Sequence, residues 1–381
     1  MPRARQSPDR RLAPRGLKAP LETQRFAARL GAWVREAGPE DDVVVSCRVR
    51  LARNVANYPF VAKLDESRAR ELSESLLELL RQRRLDGETI TVGMGEASGL
   101  MRLLLRERHL VSRDLAPSDP SRPIPPGRAV AFGASETLSA MINEEDHLRL
   151  AGFAPGFDLV GAFSRARELD LSLEGEVDFS HSERLGYLTG CPTNVGTGLR
   201  ASVMLHLPAI GMLRSELERF FAAAQRTGLA VRGLYGEGSR AAGDFYQLSN
   251  QVTLGKSEQQ LIDDLGSLVP HVVAYERRVR EALLEDRREA LVDRVFGARG
   301  KLKSTRSMPT EEALRHLSSV RLGYALGLLD DQGDARDLNP VAIQVQKGHV
   351  QALESGAETS SLLEVSERDR LRAVFLRRQF A

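Results

Sequence analysis

The run Cys191-Pro192-Thr193-Asn194-Val195-Gly196-Thr197-Gly198, continuing into Leu199-Arg200-Ala201-Ser202-Val203-Met204-Leu205-His206-Leu207, limits the fold more than any other stretch. A proline, an asparagine and two glycines make a tight loop whose backbone N–H groups can face outward. From Leu199 the apolar residues alternate with Arg200, Ser202, Met204 and His206, which predicts a strand with one apolar face. A second stretch, Val43 to Asn54, repeats the pattern. Val45, Cys47, Val49 and Leu51 share one face, and Ser46, Arg48 and Arg50 share the other. The chain therefore contains half-buried strands whose polar faces carry arginines. A solvated strand face and an anion site are both compatible with the pair Arg48 and Arg50.

The 381 residues leave room for two domains. A formal net charge of +2 gives no reason to expect a nucleic-acid binder or a disordered acidic chain. Cys47 and Cys191 make neither a disulfide framework nor a zinc spacing, so a reducing cytoplasm is the default. No apolar run reaches the roughly 20 residues needed to span a bilayer. Residues 1–20, rich in Arg and Pro, read as a flexible tail.

Periodicity predicts helices over 21–38, 66–85, 158–171 and 213–228, and short strands at 90–92, 129–132 and 229–232. Gly93 to Gly99 lacks the Gly-Lys-[Ser/Thr] ending of a phosphate loop and reads as a turn. The segment Asn143-Glu144-Glu145-Asp146-His147-Leu148-Arg149 places three acids in apolar surroundings, which demands cationic partners. Either a strand or a helix sets Glu145 beside Arg149. Gly233-Leu234-Tyr235-Gly236-Glu237-Gly238 reads as a mobile loop or a hairpin turn. Beyond about residue 265 the composition becomes helical and heavily charged, with a long helix predicted over 271–296. Ser366 and Asp369 have capping-box spacing, which sets Arg368 and Arg372 one turn apart near a helix start.

These motifs together resemble the ATP:guanidino phosphotransferases, and among them the bacterial protein arginine kinases. The resemblance runs from about Asp42 to the end of the chain. It implies an α+β fold, an antiparallel-sheet catalytic domain flanked by helices over 21–265, and a helical C-terminal domain over 266–381 for dimerisation and phosphoarginine binding. It also implies ATP, with Mg²⁺ held mainly through the nucleotide and no protein metal site. By the same resemblance the nucleotide site comprises Ser46, Cys47, Arg48, Val49, Arg50, His109, Arg149, Arg200, Ala201, Ser202, Val203, Met204, Arg232, Gly233 and Gly236. Glu145 is then the base that deprotonates the guanidine, Glu237 a second carboxylate arriving on a lid, Glu144 an electrostatic support and Cys191 an accessory thiol. Arg368, Asp369, Arg372 and Ala373 match a phosphoarginine-sensing motif.

A guanidinium has a pKa above about 12 and no free lone pair, so it cannot attack phosphorus until a base takes a proton. Small-molecule members of the family carry an additional helical domain of about a hundred residues before the first arginine strand. Here a short leader precedes it, which favours arginines displayed on proteins as substrates over free arginine. The partners this implies are those proteins, an activator protein, the protein-degradation machinery and a second copy of the chain. A catalytically idle phosphoarginine-binding adaptor is the remaining alternative.

Overall fold

The computed structural model describes residues 22–117, 119, 122–233, 242–329, 333–355 and 362–381. The expected tail over 1–20, and Gly236 and Glu237 in the expected lid, lie outside the described residues. Ten strands appear among those described: β1 (Val44–Arg53), β2 (Thr89–Gly93), β3 (Ala129–Gly133), β4 (Leu138–Ile142), β5 (Leu148–Pro155), β6 (His181–Ser182), β7 (Gly186–Tyr187), β8 (Leu199–His206), β9 (Leu229–Gly233) and β10 (Phe245–Asn250). Eight form one sheet in the order β2-β3-β4-β5-β1-β8-β10-β9, and every neighbouring pair is antiparallel.

The alternation in β1 and β8 has its expected consequence. Cys47, Val49, Leu51, Ala201, Val203 and Leu205 are all fully buried on one face. The helices of the sheet region are α1 (Thr23–Ala28), α2 (Ala32–Arg35), α3 (Glu66–Arg83), α4 (Gly99–Glu107), α5 (Leu159–Glu174), α6 (Pro208–Met212) and α7 (Arg214–Arg226). After them come α8 (Glu258–Asp286), α9 (Arg288–Ser304), α10 (Thr310–Ala325), α11 (Leu338–Gln344), α12 (Lys347–Glu354) and α13 (Val365–Gln379). Helix α5 packs on β1, β5 and β8, and α8 on β8 and β10, which closes the apolar face of the sheet. In α3, Leu72, Leu76 and Leu80 recur at helical spacing and are buried, each contributing about 2 kcal/mol. The opposite face, partly covered by α2, carries the arginines.

Three predicted helices differ. The expected helix over 21–38 is two short helices, because the Ala32 N–H bonds to the Ser135 carbonyl and a Cβ on Gly31 would strike the Glu136 side chain. The helix expected over 271–296 belongs to two helices that meet at Arg287, whose φ of −140° breaks the run, and α9 continues through Gly297. The expected domain division at 265/266 consequently falls inside the continuous α8. Helix α13 starts at Val365 with Glu364 as its N-cap, so Ser366 does not cap it.

Candidate active site

Register alone gathers the arginines. Arg50 lies opposite Arg200 across β1 and β8, and Arg48 lies opposite Ser202. On the other side of β1, Ala52 faces Arg149 and Arg48 faces Phe153. Gln247 of β10 pairs with Met204 on one side and Arg232 on the other. Directly opposed residues share a face, so Arg48, Arg50, Arg149, Arg200 and Arg232 all rise from one side of β5, β1, β8 and β9, with Gln247 of β10 between the last two. Ser46, Ser202 and Met204 stand among them, and Gly233 ends β9. Cys47, Val49, Ala201 and Val203 turn their side chains to the opposite, apolar face. They form the floor of the site and do not line it.

Concentrating cations in this way opposes folding. Two guanidiniums a few ångströms apart repel by on the order of 1–4 kcal/mol, depending on solvent access. Burial, then the neighbouring Arg48, Arg149 and Arg200, hold Arg50 well below its ordinary pKa. Burial, with Arg149 and Arg200, brings Arg48 down to about 10. Arg200 is lowered by burial, then by Arg232 and Arg149. The Nε of Arg50 is buried with no hydrogen-bond partner among the described residues. A polyanion would satisfy these donors and cancel the repulsion, and planar guanidiniums suit the paired oxygens of phosphate.

The acidic stretch 143–147 is neither strand nor helix. It is the turn between β4 and β5, with Asn143 in the left-handed conformation at φ 52°. The Asn143 side chain holds the turn from below by donating to the carbonyls of Ala69 and Gly127. Arg149 then pairs with Glu144 at 2.8 Å and with Glu145 at 2.7 Å. Glu144 is nearly buried, whereas the Glu145 side chain is 41% exposed and open to an incoming group.

Asp146, fully buried, ties this turn to the cysteine loop. Its Oδ1 accepts from the Asn54 amide at 2.7 Å and from the Gly190 N–H at 2.6 Å. The Gly190 backbone comes so close that an added Cβ would sit 2.7 Å from the Glu145 carbonyl oxygen. Cys191 follows directly, partly exposed, with its Sγ 3.1 Å from the Thr193 hydroxyl. Both Cys191 and Glu145 act electrostatically on Arg200, so thiol, carboxylate and guanidinium are neighbours.

Beyond Arg48 the arginine face runs into a cleft lined by Trp33, Ser46, Arg48, His109, Phe153, Ser202, Met204 and Gln247. Trp33 stacks on Phe153 with ring centres 5.9 Å apart, and His109 meets Trp33 edge-on at 5.8 Å. Burial, with Arg48 and Arg50, pushes His109 down to about 3, so its imidazole is neutral at physiological pH. Sequence reasoning missed Trp33, Phe153, Gln247, Asn54 and Asp146 as site residues. Phe153 has the parity of Arg149 along its strand, a signal that becomes usable once the strand is placed.

The C-terminal motif is arranged differently. Arg372 is 1% exposed and donates to the carbonyls of Val345 at 2.7 Å and Met308 at 2.8 Å, and to Asp369 at 2.5 Å. Asp369 is thus engaged with Arg372 inside its own helix. Ala373 is fully buried, and Arg368 is partly exposed near Lys347.

Five cations on an antiparallel sheet, a carboxylate pair at their edge and a thiol beside it make a site suited to a polyanion and a cationic acceptor. The family model described as the ATP:guanido phosphotransferase C-terminal catalytic domain matches residues 70–279, and the protein-arginine kinase McsB C-terminal domain matches 288–381. The chain belongs to the ATP:guanido phosphotransferase family. It is 40% identical to a protein-arginine kinase of Bacillus velezensis over 91% of this chain and 93% of the relative. It is likewise 40% identical to one of Pelotomaculum thermopropionicum, covering 92% and 95%. The duplicated taurocyamine kinase of Schistosoma mansoni superposes with a TM-score of 0.55 at 26% identity, over 66% of this chain and 35% of that one. A lombricine kinase shares the fold with a TM-score of 0.54 at 24% identity, over 67% and 71%.

Proposed function

We propose that the protein is a protein-arginine kinase, transferring the γ-phosphoryl group of ATP to the guanidino group of arginine residues in proteins. The observation that supports this most is the joining of a five-arginine face to an exposed carboxylate, Glu145, at its edge. The triphosphate would lie on Arg48, Arg50, Arg149, Arg200 and Arg232, with the base and ribose directed towards the cleft under Trp33 and His109. Mg²⁺ would arrive with the nucleotide, since hard cations of this kind commonly bind through phosphate oxygens and water.

In the reaction Glu145 takes a proton from the substrate guanidinium, a nitrogen lone pair forms a bond to the γ-phosphorus, and the bond to the β,γ-bridging oxygen breaks to release ADP. Guanidinium charge repels the arginine face, so the substrate binds only where Glu144, Glu145 and the Cys191 thiol supply compensating partners. Glu237 is retained as the second carboxylate. Positioning and charge stabilisation carry most of the catalysis in such transfers.

In the same reading the chain acts in the cytoplasm as a homodimer. It marks stress-damaged proteins or a repressor, working with an activator protein and the degradation machinery. Among the described residues no helix is long and apolar enough to cross a membrane. Arg368, supported by Arg372 and Asp369, is retained as a phosphoarginine contact, and the helices beyond α8 as the regulatory unit.

The test is mass spectrometry under conditions that preserve the acid-labile P–N bond, with ATP and either an unfolded arginine-rich protein or free arginine. Phosphoarginine on the protein is expected. Phosphorylation of the free amino acid alone would identify a small-molecule kinase, and no ATP turnover would identify a binding adaptor.

A further inference from the structure

Helix α4 ends at Glu107, whose side chain is 7% exposed. Its carboxylate accepts from the backbone N–H of Gly348 at 2.9 Å and of His349 at 3.1 Å, the opening amides of α12. It also accepts from the Nδ1–H of His349 at 2.8 Å, and the carboxylate fixes that tautomer. Three charge-assisted bonds thus join segments 241 residues apart in the chain. The phosphoryl transfer proposed above gives this carboxylate no role.

The two residues after Glu107 lead directly to the cleft. Arg108 is buried and bonds to Glu136 and to the carbonyls of Phe26 and Arg29. His109 adopts a left-handed backbone, φ 58°, uncommon for a residue with a side chain, and lines the cleft beside Arg48. Such a turn persists only where its surroundings over-determine it. Here the anchors are Arg108 on the N-terminal segment and Glu107 on α12. Helix α12 is itself held from behind, since Arg372 of α13 donates to the Val345 carbonyl two residues before Lys347.

We propose that Glu107 is a positioning residue: by gripping the start of α12 it holds His109 in the cleft and so sets how tightly the site binds ATP. The C-terminal helices thereby supply a determinant of nucleotide affinity without touching the nucleotide. This rests on reading the cleft as the nucleotide site.

The experiment uses the full chain, with ATP binding measured by calorimetry and KM for ATP separated from kcat. Glu107→Gln, which keeps one acceptor but loses the charge, is expected to weaken ATP binding about tenfold, with kcat at saturating ATP within about twofold. Glu107→Asp, which keeps the charge one methylene short, loses less. A lower unfolding midpoint with unchanged ATP affinity of the folded protein would mean that Glu107 only fastens helices, which overturns the proposal. Should Glu107→Gln not fold, His349→Gln removes one of the three donors and decides by the same readout. A wild-type chain that binds no ATP would instead refute the nucleotide reading of the cleft.

Discussion

Arginines of the sheet face and Arg372 of α13 are chemically identical, yet their donors go to different places. Arg50 looks across its strand at Arg200, its neighbours lower its pKa, and its Nε has no partner among the described residues. Arg372 spends its donors on two carbonyls and a carboxylate within its own fold. The first arrangement is incomplete until an anion arrives, and the second is complete already. What distinguishes a ligand arginine from a fastening one is the destination of its N–H groups.

Four measurements can break or sharpen that contrast. The largest effect is expected at the acid beside the cations. Glu145→Gln should lower phosphoarginine formation about 10³-fold while ATP affinity stays within a few-fold, because the proton acceptor is removed while Arg149 keeps its ion pair with Glu144 at 2.8 Å. Substantial residual transfer in that variant would reject Glu145 as the base.

Arg50→Met should weaken ATP binding about a hundredfold and leave the unfolding midpoint unchanged or higher, since it removes a repelled charge from a buried site. A marked loss of stability would place Arg50 with Arg372. Conversely, Arg372→Met should cost about 2–4 kcal/mol in chemical denaturation, because two carbonyls and Asp369 lose their donor. Unchanged stability there, with a weakened response to added phosphoarginine, would move Arg372 into the ligand class.

The smallest effect concerns pH. An unfolded histidine protonates near 6.5, whereas His109 stays neutral down to about 3 because burial and then Arg48 and Arg50 oppose its charge. Its contribution is intact well above pH 6.5 and is lost progressively as acid protonates the unfolded state, the loss reaching about 1.4 kcal/mol at pH 5.5. His109→Asn, which tolerates the left-handed backbone, should shrink the fall in unfolding free energy between pH 7 and 5.5 by about 1.3 kcal/mol. An undiminished fall would show that His109 is accessible to protons in the native cleft.

Much of this molecule could be read from residues alone, and the reason is local. Alternation in Val43–Asn54 and Leu199–His206 fixes which side chains share a face whatever the strands pair with, so Arg48, Arg50 and Arg200 were legible. Strand order and register were not, and only register brings Phe153 and Gln247 to the same cleft. The acidic segment misled both periodic readings because its turn is held by distant carbonyls, Ala69 and Gly127, that no local pattern encodes. Arg372 looked like a phosphate ligand for a similar reason: its acceptors, Val345 and Met308, are 27 and 64 residues away.

The Asn143 anchor has a consequence for the acceptor. A carboxylate mounted on a hairpin pinned at its base does not travel, so the arginine to be modified must come the whole way to it. Residues lying flat on a well-packed surface cannot make that approach, whereas those in frayed or unravelled stretches can. Selection of the target would then require no recognition of its identity, only of how far its backbone has come loose.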